Sequence, residues 1–434
     1  NPDRLKEERE RQMTIDLGFA WLDLPNGEQI GIVDVPGHRD FIENMLAGIT
    51  SIDAALFVIA ADEGVMPQTR EHLAILDLLE IKGGVIALTK VDLVDDPGWL
   101  DLVELDIRQV IQGTVLENAP IVPVSARSGE GLTELKEALM VNLTENPPRP
   151  DLGRPRLPVD RVFSVAGFGT VITGTLSDGN LRVGDEVEIL PNHLKGKIRG
   201  LQTHKRKEDI AVPGSRTAVN ISGINLSQIK RGNVVSHPGD YTPSRRLDVQ
   251  FRHLKDVSRP LLHNSEVKLF IGSAEVLARL RLLLSDELTP GESGWLQLEL
   301  KEPVVAVRGD KYILRRPSPG ETIGGGIVLD PFPKSRHKRF APGLQQQFEA
   351  LAKGNPQEIL EHSLVMLGIV PLQAAVRKSE LDSLTADQVI QQMISSGEML
   401  VLEDKAASLT TNSDVLVVLK SRWNIISQQV LDEV

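Results

Sequence analysis

The sequence predicts a multidomain chain in which an α/β domain on a parallel sheet is followed by two antiparallel β-barrels and a C-terminal winged helix of α+β type. Three observations carry this. Residues 13–146 alternate short apolar runs with helical periodicity. Residues 157–333 alternate valine-rich positions with Gly and Asn turns, and beyond residue 344 helical segments precede two short apolar runs. At 434 residues the chain exceeds the size at which a single core stops growing, about 250–300 residues, so several domains are required.

In the first domain, 1–146, the apolar runs at 31–33, 56–60, 85–88 and 121–124 read as strands of one parallel sheet joined by crossover helices. Asn146-Pro147-Pro148-Arg149-Pro150 marks a linker, because proline lacks the N–H and the freedom in φ that helix and ladder need. The barrels are expected over 147–243 and 244–333, dividing near 242–245. The basic run 334–339 lies in a linker expected over 334–343 and reads as a solvated hinge. Within 344–419, helices at 357–367, 372–381 and 385–395 and strands at 399–402 and 415–419 make the winged helix, although a purely structural helical domain fits the same pattern. Residues 420–434 open a second such unit, with a helix at 425–431.

Composition narrows the chemistry. Apolar residues make up 41% of the chain, enough to fill these cores, and the absence of cysteine excludes disulfides, thiolate metal sites and cysteine nucleophiles. No apolar stretch reaches spanning length and the N-terminus is charged, so a soluble, cytoplasmic protein without membrane contact is expected. A formal net charge of −12 argues against general coating of nucleic acid; such a partner must meet a local basic patch.

One pentapeptide carries the first chemical signal. Asp34-Val35-Pro36-Gly37-His38 ends an apolar run, where a carboxylate can hold hydrated Mg²⁺, a glycine N–H can approach a terminal phosphate and a histidine can position a water. Taken alone, the five residues read as a strand ending in a Pro-Gly turn beside a solvated histidine. Downstream, the run 85–88 ends in Thr89-Lys90-Val91-Asp92 and the run 121–124 ends in Ser125-Ala126-Arg127, at the strand ends where open parallel sheets bind ligands. The Asp92 carboxylate can accept from the N1–H and exocyclic amine of guanine, the Lys90 stem can cover the base, and the Ser125 and Ala126 backbone can reach the guanine carbonyl. A site built on such bonds rejects an analogue lacking them by a factor on the order of 10⁴. Upstream, Thr14 is placed to put its hydroxyl on Mg²⁺. The Gly-rich loop ending in Gly-Lys-Ser/Thr, expected before Thr14, is not found in the charged segment 1–11, so a fragment lacking the first strand, phosphate loop and first helix is expected.

The order of Thr14, Asp34 to His38, Thr89 to Asp92 and Ser125-Ala126, followed by two barrels, resembles the EF-Tu-type translational GTPases. Within them the chain is similar to the selenocysteine-specific elongation factors. The stretches that carry this are Arg4-Leu5-Lys6-Glu7-Glu8, Thr14-Ile15-Asp16-Leu17-Gly18-Phe19-Ala20, and Met66-Pro67-Gln68-Thr69-Arg70-Glu71-His72-Leu73. Gly169-Thr170-Val171-Ile172-Thr173-Gly174-Thr175, Glu321-Thr322-Ile323-Gly324-Gly325-Gly326, and Thr89 where other members use Asn, point the same way.

The resemblance implies a monomeric GTPase that binds GTP, GDP and Mg²⁺ and carries selenocysteinyl-tRNA to the ribosome at recoded UGA codons, guided by an mRNA hairpin. His38 orients the attacking water, and Asp160, Arg161 and Arg216 surround the aminoacyl group, where a cationic pocket separates an ionised selenol from a neutral serine hydroxyl by charge. An ordinary ion pair on a barrel surface is the competing reading of these three residues. The chain departs from the family pattern at Gln12, where Gly is usual, in the missing phosphate loop, and in an early C-terminus, so the winged helices that grip mRNA are expected to be mostly absent. EF-Tu itself and the gamma subunit of initiation factor two lack winged helices after their barrels; a catalytically silent RNA-binding adaptor is the reading from another class.

Overall fold

The computed structural model describes residues 8, 13–49, 52–145, 151–167, 169–203, 206–379, 381–403, 409–411 and 413–433. The segment 1–11 apart from Glu8, Gln12 and the linker 146–150 lie outside the described residues.

Strands β1 (Gly18–Asp23) and β2 (Gln29–Asp34) form an antiparallel hairpin in register from Gly18↔Asp34 to Asp23↔Gln29. Then follow α1 (Ile42–Ile49), β3 (Ala55–Ala60), α2 (Pro67–Leu78), β4 (Gly84–Thr89), α3 (Pro97–Ile111), β5 (Ile121–Pro123) and α4 (Leu132–Glu145). Strands β3, β4 and β5 make the parallel sheet, in that order. The run 31–33, expected as a fourth strand of that sheet, pairs instead with β1. The cause is turn chemistry: Pro25-Asn26-Gly27 separates two strand-forming runs, Gly27 takes φ +84°, and the Asn26 side chain accepts the Glu28 N–H at 3.0 Å.

β4 is buried on both faces, and its period of two divides the core. Ile86 and Leu88 pack with α1, α2 and α3, whereas Val85 and Ala87 pack with Leu139 of α4 and with Leu24 and Ile30 of the hairpin.

Each barrel is a ring of six strands. In the first, β6 (Leu157–Val165), β7 (Gly169–Thr175), β8 (Glu186–Leu190), β9 (Leu194–Thr203), β10 (Arg216–Ser222) and β11 (Val234–Ser236) pair in the order β9-β10-β7-β6-β11-β8, and β8 returns to β9. The second is closed by β12 (Ser244–His253), β13 (Glu266–Ile271), β14 (Ala274–Leu282), β15 (Ser293–Val304), β16 (Lys311–Arg316) and β17 (Glu321–Asp330). Where β17 crosses its neighbours it must be glycine: a Cβ on Gly324, Gly325 or Gly326 would lie 2.2, 2.3 or 2.1 Å from a backbone carbonyl oxygen.

The first domain rests on the second barrel. Phe270 and Ile313 are buried in the α1 and α2 core, and ion pairs rim the contact: Glu43–Lys268 at 2.8 Å, Glu71–Arg315 at 3.1 Å, Asp77–Arg252 at 2.7 Å, and Glu80–Lys311. Acids come from the first domain and cations from the barrel, so the seam is complementary in charge.

The basic run 334–339 is not a solvated hinge. Arg336 pairs with Glu299, His337 Nε2 meets Asp248 Oδ2 at 2.5 Å, and Arg339 donates to the carbonyls of Leu282 (2.8 Å) and Ser285 (2.7 Å). Asp248 is buried and desolvation raises its pKa, against the His337 hydrogen bond, which favours its ionised form and raises the pKa of His337. Helix α5 (Leu344–Lys353) continues this attachment, burying Leu344, Phe348 and Leu351 against Leu283 and Leu329 of the barrel.

Beyond it the order is α6 (Pro356–Leu367), β18 (Val370–Pro371), α7 (Leu372–Ser379), α8 (Ser383–Ser395), β19 (Met399–Val401) and β20 (Leu416–Leu419), with β20 between β18 and β19. This is the helix and strand order of a winged helix, closed around a core that includes Leu360, Leu372, Ile390, Met393 and Val417. The helix expected at 425–431 begins earlier: α9 (Lys420–Glu433) leaves β20 directly. Among the described residues no helix is long and apolar enough to cross a membrane.

Candidate functional site

The tip of β2 and the segment before β1 converge. The Thr14 hydroxyl donates to Asp34 Oδ2 at 3.5 Å, so the two residues expected to share Mg²⁺ stand side by side. A hydroxyl and a carboxylate fit a small hard cation that keeps most of its coordination for water and phosphate. Glu8 and Asn44 fix the backbone there. Ile15 N–H and Asp16 N–H each donate to Glu8 Oε1 at 3.1 Å, and Asn44 Nδ2 donates to the Ile15 carbonyl at 2.9 Å.

Gly37 and His38 follow Asp34 and are exposed. A Cβ on Gly37 would meet nothing within 4 Å, so packing within the chain does not demand glycine there. His38 caps the turn Arg39–Phe41: its Nδ1 accepts the Asp40 N–H at 3.2 Å, and its ring centroid lies 5.9 Å from that of Phe41. With Nδ1 accepting, the proton of a neutral ring is assigned to Nε2, which can donate to a water but cannot take its proton.

The loops after β4 and β5 are tied together, since Val124 N–H donates to the Leu88 carbonyl at 2.8 Å and Val91 N–H to the Val124 carbonyl at 3.4 Å. Thr89 Oγ1 donates to the Ile59 carbonyl at 3.3 Å, which pins the tip of β4 to β3. Lys90 takes a left-handed φ of +59°, and its Nζ lies 3.2 Å from Asp62 and 3.4 Å from Glu63. Hydrogen bonding to Asp62 foremost raises its pKa. Asp92 is exposed in the turn Val91–Leu93, free to meet a base edge. The Ser125 N–H donates to the Glu130 carbonyl at 3.0 Å and its Oγ accepts the Ser128 N–H at 3.1 Å, so both groups shape the loop beside the exposed Ala126.

Of the three barrel residues, Asp160 and Arg216 pair with each other, whereas Arg161 takes other partners. Asp160 Oδ1 accepts from Arg216 Nη2 at 2.9 Å and from Thr173 Oγ1 at 2.6 Å, and this pair is largely buried. Arg161 turns to the first domain, where it lies 3.4 Å from Asp16 and donates to the Leu17 carbonyl. Phe19 of β1 sits between both arginines, with its ring centroid 3.3 Å from the Arg216 guanidinium and 4.9 Å from that of Arg161. Of the ion pairs expected as the competing reading, Asp160 with Arg161 or Arg216, the Asp160–Arg216 pair is present, though largely buried rather than on the surface. Asp16, Phe19 and Thr173, which touch these side chains, lie inside the stretches that carry the family resemblance, the available signal for them.

Comparison with known proteins follows the same division. Residues 1–145 match the Elongation factor Tu GTP binding domain, 169–236 match Elongation factor Tu domain 2, and 246–335 match the beta-barrel domain of Selenocysteine-specific elongation factor. The Selenocysteine-specific elongation factor of Desulfomicrobium baculatum is 42% identical over 96% of this chain and 65% of its own length. The crystal structure of a bacterial selenocysteine-specific elongation factor, EF-Sec, superimposes with a TM-score of 0.81 at 27% identity, over 99% of this chain and 67% of that one. That of SelB from Methanococcus maripaludis in complex with the GTP analogue GPPNHP gives a TM-score of 0.63 at 29% identity, over 75% of each chain. The chain spans between 52% and 65% of the length of the curated relatives it matches.

Proposed function

The chain belongs to the selenocysteine-specific elongation factors within the EF-Tu-type translational GTPases, and from that premise we propose that it delivers selenocysteinyl-tRNA to the ribosome under the control of GTP hydrolysis. The observation that supports this most is the meeting of the arginine pair with the strand that follows Thr14, because it joins a site suited to an anionic aminoacyl group to the nucleotide switch.

In this reading Asp92 and the Ala126 N–H select guanine, Lys90 covers the base, and Thr14 and Asp34 would hold Mg²⁺. When bound, Mg²⁺ neutralises charge on the β- and γ-phosphates. Gly37 N–H binds the terminal phosphate, and His38 donates from Nε2 to a water once the ribosome brings the two together. Stimulation by the ribosome follows from the exposure of His38: in this conformation it faces solvent. Loss of the terminal phosphate releases Thr14 and Gly37, and with them the aminoacyl site. The protein acts as a monomer in the cytoplasm, and further winged helices read the mRNA hairpin.

Equilibrium binding of selenocysteinyl-tRNA and seryl-tRNA to the full-length factor tests the proposal. Tight binding with a GTP analogue, weak binding with GDP, and a selenocysteinyl preference erased by Arg161→Ala or Arg216→Ala are expected. A preference untouched by both substitutions refutes the acyl-site assignment.

A further inference from the structure

The segment from Thr14 to Phe19 is locked onto the first barrel at points that coincide with the proposed acyl site. Asp16 lies between two barrel cations, with Oδ2 3.4 Å from Arg161 Nη2 and Oδ1 3.6 Å from Arg231 Nη1. Arg161 also donates to the Leu17 carbonyl, and Arg231 Nη2 donates to the Asn44 carbonyl of α1 at 3.3 Å. Phe19 supplies an aromatic face to Arg216 and Arg161. A guanidinium available to read an anion is thus already matched with a carboxylate of the chain itself.

We propose that Asp16 is a removable counter-ion of the acyl site: it occupies Arg161 until the anionic side chain of the incoming aminoacyl-tRNA takes its place, and the nucleotide sets how firmly it is held. This rests on the reading of Arg161 and Arg216 as the acyl site and adds its regulation.

The chemistry is an exchange of one anion for another. Arg161 and Asp16 are only 23% and 36% exposed at their side chains, so parting them without a substitute leaves charges poorly solvated. An ionised selenol supplies that substitute; a serine hydroxyl does not. Asp16 therefore raises discrimination as well as gating, because it penalises the neutral competitor. The link to nucleotide is covalent and short. Asp16 lies two residues beyond Thr14, and its N–H shares the Glu8 carboxylate with that of Ile15, so drawing Thr14 onto Mg²⁺ and the terminal phosphate shifts the Asp16 backbone against Arg161. Coupling of this kind is reciprocal: occupation of the acyl site must favour the GTP form to the same degree.

The test is selenocysteinyl-tRNA binding to the full-length factor, with GTP analogue and with GDP, in wild type, Asp16→Asn and Asp16→Glu. Asp16→Asn keeps shape and loses charge, and is expected to tighten the GDP-state complex and shrink the ratio of the two affinities by about tenfold, within the usual 5- to 150-fold range of allosteric coupling. Asp16→Glu keeps the charge and retains the wild-type ratio. An unchanged ratio in Asp16→Asn, or equal losses in both variants, overturns the proposal. Arg161→Ala separates the two claims: if it abolishes the selenocysteinyl preference while Asp16→Asn leaves the ratio alone, the site stands and the gate falls. If Arg161→Ala and Arg216→Ala both leave the preference intact, the site itself falls.

Discussion

Asp330→Asn should loosen the C-terminal helices from the second barrel. Asp330 ends β17 and is 4% exposed. Its Oδ1 accepts the Phe332 N–H at 2.8 Å and Lys378 Nζ at 3.2 Å, and its Oδ2 faces His362 Nε2 at 3.7 Å; His362 and Lys378 belong to α6 and α7. Burial works to raise the carboxyl pKa, but the His362 imidazole, the Lys378 ammonium and the Phe332 N–H hold it down at about 2, against 3.8 unperturbed. Because His362 is beyond hydrogen-bond reach at 3.7 Å, the lower part of the implied range applies, ~2 kcal/mol at 1.36 kcal/mol per pKa unit. The pKa is depressed, so this stability is fully present above pH 3.8 and is lost as pH falls toward about 2. At neutral pH the asparagine keeps the acceptor for Phe332 and removes the charge that holds Lys378, which lowers the docked-to-undocked ratio roughly 30-fold. Amide hydrogen exchange over 356–395 and protease cleavage near Gly354 read this directly. Wild-type exchange and wild-type cleavage in Asp330→Asn would refute it.

Three more outcomes are expected. Asp92→Asn replaces an acceptor by a donor, so GTP affinity should fall roughly 100-fold and XTP affinity rise, at about 1.5 kcal/mol or more for each of two bonds to a charged group; competition against a fluorescent nucleotide measures both, and unchanged selectivity removes Asp92 from the base site. His337 has a raised pKa through Asp248, offset in part by burial and by Arg281, so the stability it gives is complete below pH 6.5 and is lost as pH rises through its folded value. Exchange protection of 334–339 should therefore fall on the alkaline side of 6.5, and His337→Ala should flatten that dependence. Glu71→Gln leaves the buried Arg315 without its carboxylate and should cost about 3–5 kcal/mol in the contact between the first domain and the second barrel, whereas adding Arg315→Met should restore most of it; thermal unfolding of both variants decides.

Element type and order were legible because each domain wrote its own period into the sequence, as in Val85 to Leu88, where alternate residues feed two cores. The run 31–33 reads as a strand of the parallel sheet because that pattern spans the whole domain, whereas the Asn26-Gly27 turn that pairs it with β1 is a two-residue signal. The basic run 334–339 was misread because its partners, Glu299, Asp248 and Asp286, lie 37 to 89 residues away along the chain, and charge complementarity at such separation has no local signature. The same limit hid the second half of the proposed acyl site. Asp160, Arg161 and Arg216 could be named from resemblance, but that Asp16 and Phe19 complete them depends on how β1 meets the barrel, across 144 or more residues.

The central claim is that charge on the aminoacyl group, read by Arg161 and Arg216, selects the cargo. It is tested most directly by the full-length factor's preference for selenocysteinyl-tRNA over the same tRNA charged with cysteine, measured with a GTP analogue from pH 6.5 to 9. The two side chains are near-isosteres, but a thiol ionises only around pH 8.5. A large preference at pH 6.5 that collapses as the thiolate forms supports the account. A preference that stays constant across this range contradicts it.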